Sequence, residues 1–337
     1  MSYERADWKL RLRTSLAVVC LLLVANASAN EKGEEEARSL LKGAAERSLL
    51  RADRQFPFRL DASFSGHGLR ARRLDGRYSW LLTSNGDWAK QLAFADYNDL
   101  QIGRGDTVWV KRSVDFQPLQ AALVQNAFRV RQYLDHAGNT IERYYTVTEH
   151  HRKLRCADIS RGRQHHTACI DPDGNLSKIK QGVRVEYEYS DYRAVGEKFV
   201  PYKIVVTKAG TVLLEISVDK FSTGEDVLRN FPDPPEGAIQ RAGCLAPTLP
   251  VLKNQLRVDY PSLALDASRQ GQVILYLLVG SDGKVRKTVV TQSAGELLDS
   301  SVLDAARHAE YEPATCGNVP VESETELSNT FSIQVVE

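Results

Sequence analysis

Residues 271–283 read GQVILYLLVGSDG, and residues 284–291 continue as KVRKTVVT. The stretch is an unbroken apolar run over 273–279, with a glycine at each end and Asp282-Gly283 shortly after it. An Asp-Gly pair between two β-rich runs is a strong hairpin signal, because glycine adopts the positive φ that a tight reversal needs. The sequence therefore predicts a β-hairpin over residues 271–291.

Working outward from the hairpin, the apolar period changes. One helical face is predicted from residues spaced at i, i+4, i+7, i+8 and i+11, namely Leu298, Val302, Ala305, Ala306 and Ala309. The last segment alternates, which is typical of a strand, and a short helix over 262–268 precedes the hairpin. The predicted order is short helix, strand, strand, helix, strand.

This C-terminal part resembles the C-terminal domain of the TonB family, the periplasmic energy-transducer module. The resemblance rests on an ordered set of residues: Tyr260-Pro261, Gly271, Val273, Asp282-Gly283, Ser293, Gly295, Leu298-Asp299, Ala305, Tyr311, Pro313, Gly317 to Val321 and Phe331. It implies a small α+β domain that accepts a peptide from an outer-membrane receptor by β-augmentation.

The part before it is predicted to be mostly β. Strand-like runs are separated by turn signals such as Asn85-Gly86, Gly105-Asp106, Asp173-Gly174 and Ala209-Gly210. About ten strands in meander order behind one amphipathic helix, predicted over 36–52, fit a curved antiparallel half-barrel. The fold class of the whole chain is therefore α+β.

The end of that meander resembles the closing hairpin of LolA-like periplasmic lipoprotein carriers. The resemblance rests on Tyr192, Gly196, Pro201 and the apolar runs 204–206 and 213–216. It implies a concave sheet with an apolar cavity for acyl chains or for a protein partner.

Composition shifts divide the chain into five predicted parts. These are a signal peptide (1–29), a disordered segment (30–36), the LolA-like antiparallel domain (37–222), a proline-containing linker (223–259) and the TonB-like domain (260–337). A basic start, a short apolar run and Ala27-Ser28-Ala29 indicate secretion to the periplasm or cell envelope. The alternative is an uncleaved anchor in the inner membrane, although the run is shorter than the about 20 residues that span a bilayer.

Export changes the interpretation of the cysteines. Cleavage would remove Cys20 and leave four, which suits disulfides in an oxidising compartment. Cys156 and Cys169 share a midpoint with the turn at Gly162-Arg163, so they are predicted to pair across a hairpin. Cys244 and Cys316 are then left to pair with each other. Nearby histidines leave zinc as an alternative for the first pair.

The last strand is the predicted binding site. Its residues are Val321, Glu322, Ser323, Glu324, Thr325, Glu326 and Leu327. The three outward-facing glutamates either protect a sheet edge or select a basic partner strand. From residue 249 onward there are seven Lys and Arg against twelve Asp and Glu, a net charge of −5, which favours the second interpretation.

Other functions receive little support. The formal net charge of +1 and the lack of a basic face argue against nucleic-acid binding. No nucleophile-base constellation, metal site or cofactor motif is predicted, so the chain is not expected to be an enzyme. The leading hypothesis is a TonB-family envelope protein that binds a partner strand in TonB-dependent transmembrane transport. The alternative is a periplasmic lipid or lipoprotein carrier that acts through the N-terminal domain.

Overall fold

A computed structural model gives the fold of the protein. It describes residues 33–48, 56–67, 73–130, 134, 138–149, 151–161, 164–181, 185–224, 231–245, 247–254 and 256–333 of the 337. The predicted signal peptide lies outside these residues. Among the helices that are described, none combines the length and the apolar character that crossing a bilayer would take.

Most of the chain before residue 243 forms one antiparallel sheet of 13 strands. The strands are β1 (Phe58–His67), β2 (Arg73–Leu82), β3 (Trp88–Phe94), β4 (Tyr97–Arg104), β5 (Thr107–Arg112), β6 (Thr140–Glu149), β7 (Arg152–Arg161), β8 (Gln164–Ile170), β9 (Leu176–Gln181), β10 (Val185–Val195), β11 (Lys198–Lys208), β12 (Thr211–Thr223) and β13 (Ile239–Ala242). Their spatial order is β13-β5-β4-β3-β2-β1-β12-β11-β10-β9-β8-β7-β6. Within the described residues the two end strands do not pair, so the sheet is open and is not a closed barrel.

Two helices pack on one face of this sheet, α1 (residues 33–47) and α2 (Leu119–Ala127). Buried residues of both helices join one apolar core with the strands, among them Leu41, Val124, Leu60, Ile204 and Ile216. The predicted N-terminal helix is confirmed. The helices thus cover one face of the open sheet.

Residues 33–36 are helical, so the prediction of disorder over 30–36 is wrong for its last four residues. The acidic side chains there have partners. Arg38 donates to Glu34 one turn earlier at 2.7 Å, and the hydroxyl of Tyr144 donates to Glu36 at 3.0 Å. These contacts favour a helical start over a solvated tail.

The C-terminal part forms a smaller sheet with the order β16-β15-β20. Its elements are β14 (Val251–Leu252), α3 (Ser262–Asp266), β15 (Gly271–Val279), β16 (Val285–Gln292), α4 (Glu296–Arg307), β17 (Tyr311–Glu312), β18 (Ala314–Cys316), β19 (Val319–Val321) and β20 (Ser323–Phe331). The predicted order of helices and long strands is confirmed, with four short strands added. The α+β class is confirmed as well.

One face of this sheet is buried under helix α4. Leu298, Val302 and Ala306 of α4 pack on Val273 and Leu275 of β15. The hairpin turn depends on Gly283, which has φ of +78° and whose added Cβ would lie 2.0 Å from the Tyr311 carbonyl oxygen. A side chain there would push the turn away from the segment that follows α4.

The linker, predicted over 223–259, does not act as a free spacer. Strand β13 pairs with β5 and so extends the larger sheet, while β14 pairs with β17 beside the smaller one. Phe231 packs on the outer cluster around Leu81, and Arg104 contacts Asp233 at 2.8 Å. Backbone pairing has therefore fixed a segment that composition alone marked as a linker.

Both predicted disulfides are present in the structure. Cys156 and Cys169 are direct register partners in β7 and β8, with Cα atoms 4.0 Å apart. Cys244 and Cys316 join the segment after β13 to β18 across 72 residues. Because the Cys156 and Cys169 thiols are bonded to each other, they do not form the zinc site that was considered for this region. His150 lies outside the described residues.

Candidate docking edge and cavity between the two sheets

Strand β20 forms one edge of the smaller sheet. It pairs with β15 along its length, from Ser323 opposite Val279 to Phe331 opposite Gly271. Its other side pairs with no strand in the part of the chain that the structure describes. We call residues 323–331 the docking edge, since unpaired backbone groups on a strand can receive another strand.

The predicted binding residues fall on two elements. Val321 ends the short strand β19 and is buried, and Glu322 lies between β19 and β20. The other five, Ser323 to Leu327, begin the docking edge. Leu327 packs into the core beneath α4, so its side chain serves the smaller sheet rather than a partner.

The face of the smaller sheet that α4 does not cover packs toward the larger sheet. Ile274 of β15 is 5% exposed and joins the core of the larger sheet. The Tyr276 ring lies 6.3 Å from that of Phe116, and Lys208 of β11 donates to Gln292 of β16 at 3.2 Å. Strand β15 is therefore enclosed on both faces.

A buried ion cluster joins the sheets where they meet. Arg112 of β5 donates to both carboxylate oxygens of Glu324, at 2.5 and 2.9 Å, and its Nε lies 3.0 Å from Asp99 of β4. Arg241 of β13 reaches the same glutamate at 3.4 Å. The Tyr276 hydroxyl donates to Glu324 at 3.2 Å. We call Asp99, Arg112, Arg241 and Glu324 the ion cluster.

The charges of the ion cluster stabilise one another. Burial alone would raise the pKa of Glu324, but the Arg112 and Arg241 guanidinium groups outweigh it and lower that pKa to about 2. Burial likewise opposes the charge of Arg112, yet Glu324 and Asp99 raise its pKa well above the ordinary value. Both groups therefore stay ionised, and each carboxylate has a countercharge.

The expectation that three glutamates face outward is wrong for Glu324. Its side chain is 13% exposed, and its partners belong to the same chain. Glu322 is half-buried and lies 3.6 Å from Arg241. Glu326 is exposed by its overall surface, yet burial of its carboxyl group raises its pKa to about 7, and the charge of Lys208 opposes that shift. The Glu324 carboxylate is therefore paired with arginines of the larger sheet and does not face outward.

A cavity of about 800 Å³ lies next to the ion cluster. One wall comes from the larger sheet and helix α2, including Trp88, Val108 and Leu123, and another from the segment 241–249. The third wall is the docking edge, from Ser323 to Thr330. Side chains of β20 therefore line a cavity between the sheets, and a segment that pairs with β20 would lie next to that cavity.

Comparison with protein families assigns the smaller sheet. Residues 257–333 match the family of the Gram-negative bacterial TonB protein C-terminal. The TonB resemblance predicted from the sequence is confirmed for this part of the chain. The TonB-like domain contains the whole docking edge and Glu324, whereas Asp99, Arg112 and Arg241 lie outside it. A comparison with curated proteins finds no match.

Several solved structures show similarity to this chain. A LolA superfamily protein from Nitrosomonas europaea is 11% identical, with a TM-score of 0.42 over 58% of this chain and 97% of that chain. A DUF1329 family protein from Desulfovibrio piger is 10% identical, with a TM-score of 0.40 over 56% and 92%. MucB in complex with MucA(peri) is 15% identical, with a TM-score of 0.25 over 71% and 74%.

Sequence reasoning missed the residues that the larger sheet contributes. Asp99 and Arg112 are direct register partners in β4 and β5, and Arg241 sits on a strand in the predicted linker. A local signal existed for the first pair, because Asp99 and Gln101 occupy alternating, inward-facing positions of a strand. Nothing in the local sequence links these residues to Glu324, more than 200 positions from Arg112.

Proposed function

We propose that this is an exported cell-envelope protein whose TonB-like domain binds an extended segment of an outer-membrane receptor or another envelope partner, in TonB-dependent transmembrane transport. The segment adds as a strand to the docking edge. One observation carries the proposal: β20 is an edge strand with one side unpaired among the described residues, and side chains of the same strand line a cavity of about 800 Å³. No catalytic step is part of this function.

The chemistry of the edge favours a particular kind of segment. Backbone groups of β20 provide the hydrogen bonds of β-augmentation, which carry affinity without regard to side chains. Glu324 is already neutralised by two arginines, so it adds no selectivity. Glu322 and Glu326 remain at the cavity, and they favour a basic residue in the incoming segment.

A pair of proline substitutions tests the docking edge. In an antiparallel edge strand, neighbouring residues point their N–H groups alternately toward the sheet and away from it. Of Ser328→Pro and Asn329→Pro, one therefore removes an outward N–H and leaves the β15–β20 ladder intact. We expect that variant to keep the melting temperature and to bind synthetic receptor segments about fivefold more weakly, since the one lost strand hydrogen bond is worth about 1 kcal/mol.

The opposite edge of the same sheet supplies the matched control. Thr288→Pro and Val289→Pro make the same change in β16, which also pairs with β15 on one side only within the described residues. Binding is measured by fluorescence anisotropy with labelled peptides. The proposal fails if the stable β20 variant binds as well as the original protein, or if β16 variants lose binding equally.

A second candidate is a carrier of lipid or lipoprotein acyl chains. It is favoured by the apolar wall of the same cavity, formed by Trp88, Val108, Leu119, Leu123 and Leu213. Native mass spectrometry of protein purified from the periplasm separates the two candidates. Co-purified acyl chains support the carrier, whereas a protein without bound lipid that captures receptor peptides supports docking.

A further inference from the structure

Two cationic side chains line the cavity without an acidic partner. Lys90 of β3 and Arg129, just after α2, both contribute to the cavity wall. Within the part of the chain that the structure describes, neither lies within 4.0 Å of a carboxylate. Other buried or half-buried cations of this protein, such as Arg112 and Lys178, contact two or more acids each. Charged groups in a low-dielectric site are normally paired, so these two call for a ligand.

Lys90 is held in place by aromatic rings. Its ammonium nitrogen lies 4.8 Å from the ring centroid of Trp80 and 5.0 Å from that of Trp88. Trp80 is its cross-strand partner in β2, and Trp88 lies two residues earlier on the same face of β3. Gly103 makes room for Trp88, because an added Cβ would lie 2.1 Å from the indole nitrogen. The cation–π contacts with the two tryptophan rings hold the Lys90 ammonium group in a defined position.

The local field at Lys90 is positive. Burial lowers the pKa of Lys90 to about 7, and the charge of Arg129 lowers it further, while Asp99 acts in the opposite direction. Asp99 is already bonded to Arg112 at 3.0 Å and to Gln101 at 2.8 Å. Asp99 therefore neutralises charge mainly within the ion cluster. The positive potential at Lys90 and Arg129 is left to attract an anion into the cavity.

The two cationic groups that line the cavity are both hydrogen-bond donors. A ligand atom between the Lys90 ammonium and the Arg129 guanidinium must accept hydrogen bonds and carry negative charge, as carboxylate and phosphate oxygens do. The walls around them are apolar, including Leu119, Leu123 and Leu213. A small hydrophilic anion alone would leave those walls against water.

We propose that Lys90 and Arg129 form an anion subsite, and that the cavity takes an amphiphile with one carboxylate or phosphate head group on an apolar chain. The head group lies between the two cations, and the chain lies along Leu119, Leu123 and Leu213. This inference rests on the second candidate function and does not depend on the docking edge.

The test compares probes that share a chain and differ in charge. Isothermal titration calorimetry of the mature protein uses dodecyl phosphate, the neutral dodecyl maltoside, and inorganic phosphate. We expect dodecyl phosphate to bind most tightly. Lys90→Met and Arg129→Met should each weaken it at least about tenfold, because each removes a charge-assisted hydrogen bond to the head group, and should leave maltoside binding unchanged. Lys90→Arg keeps the charge and should retain most of the affinity.

Lys203→Met is the matched control, because Lys203 is exposed on β11 and does not line the cavity. It should bind every probe as the original protein does. Equal binding of dodecyl phosphate by the Met variants at positions 90 and 129, with unchanged melting temperatures, would overturn the subsite while the carrier stands. Binding of inorganic phosphate as tight as that of dodecyl phosphate would overturn the amphiphile. Failure of every amphiphile to bind would overturn both the subsite and the carrier, and the docking proposal would be unaffected.

Discussion

The space between the two sheets holds two charged regions that are arranged in opposite ways. In the ion cluster, two arginines face two carboxylates, and every charge has a partner within 3.5 Å. In the neighbouring cavity, Lys90 and Arg129 have no acidic partner among the described residues, and Lys90 is held by aromatic rings instead. The same larger sheet supplies cations to both regions.

The difference separates a structural role from a binding role. A buried charge that is paired within the chain fixes the relative position of the sheets and has nothing left for a ligand. An unpaired charge in a cavity is costly in the empty protein, and its cost is relieved when an anion arrives. Removing a charged side chain of the ion cluster should therefore lower the unfolding free energy of the protein. Removing Lys90 or Arg129 should raise the unfolding free energy of the ligand-free protein.

The largest expected effect comes from Arg112→Met. The change leaves Asp99 and Glu324 buried with only the more distant Arg241 as a countercharge, which should cost about 5 kcal/mol of unfolding free energy. Urea denaturation followed by circular dichroism measures it. Arg307→Met is the control, because Arg307 forms an exposed pair with Asp304 and should cost less than about 1 kcal/mol. Similar losses in the two variants would contradict a structural role for the ion cluster.

The disulfide between Cys244 and Cys316 should come next, since it fastens the cavity wall at 241–249 to the smaller sheet. In the chain-entropy model, the 72-residue separation corresponds to about 4 kcal/mol of unfolding free energy. The double substitution Cys244→Ser and Cys316→Ser should lose that amount. The matched double change at Cys156 and Cys169, 13 residues apart, should lose about 3 kcal/mol. A larger loss at the second pair would show that the first does not hold the sheets together.

Acid should weaken the ion cluster selectively. The pKa of Glu324 is about 2 in the folded protein against an ordinary value of 4.5, so its stabilisation is complete above pH 4.5 and is lost as the pH falls toward 2. The shift corresponds to about 3 kcal/mol. Glu324→Gln should be less stable than the original protein by about that amount at pH 7, and the gap should close as the pH falls through this window. A gap that is independent of pH would refute the assignment.

The smallest expected effect has the opposite sign. Lys90→Met should raise the unfolding free energy by about 1 to 2 kcal/mol at pH 7, because it replaces an unpaired, desolvated charge with an apolar chain. The pKa of Lys90 is about 7 in the folded protein and 10.5 ordinarily, so the gain should shrink as the pH rises between those values. Thermal melts at several pH values measure this trend. Destabilisation at pH 7 would mean that Lys90 is a structural group and not part of a ligand site.

The local fold of the smaller sheet was predictable because its signals are short-range. The Asp282-Gly283 turn, the 3.6-residue period of α4 and the cysteine midpoint at 162–163 each involve residues that are close in the chain. Disulfide pairing and the TonB resemblance followed from the same kind of signal. The edge position of β20 was an assumption of the binding hypothesis, since it depends on which strand lies beside it.

The unbroken apolar run 273–279 indicated that the smaller sheet packs against another part of the chain. A strand with one solvent-exposed face alternates, whereas this one is apolar at every position. Ile274 and Tyr276 point away from α4 and pack against the larger sheet. That pattern indicates a strand enclosed on both faces, but it does not say which surface covers the second face.

The sequence by itself determined the longer helices and strands, the α+β class, the cysteine pairs and the position of the TonB-like domain, because propensity, turn chemistry and register are properties of neighbouring residues. Only the tertiary structure decided that Glu324 is paired, whereas Lys90 and Arg129 have no acidic partner in the part of the chain that the structure describes. Arg112 and Glu324 are 212 residues apart in the chain. Whether a charged side chain is buried, paired or available to a ligand depends on the local dielectric and on the partners that folding brings near it. The residues next to it in the sequence do not determine either one.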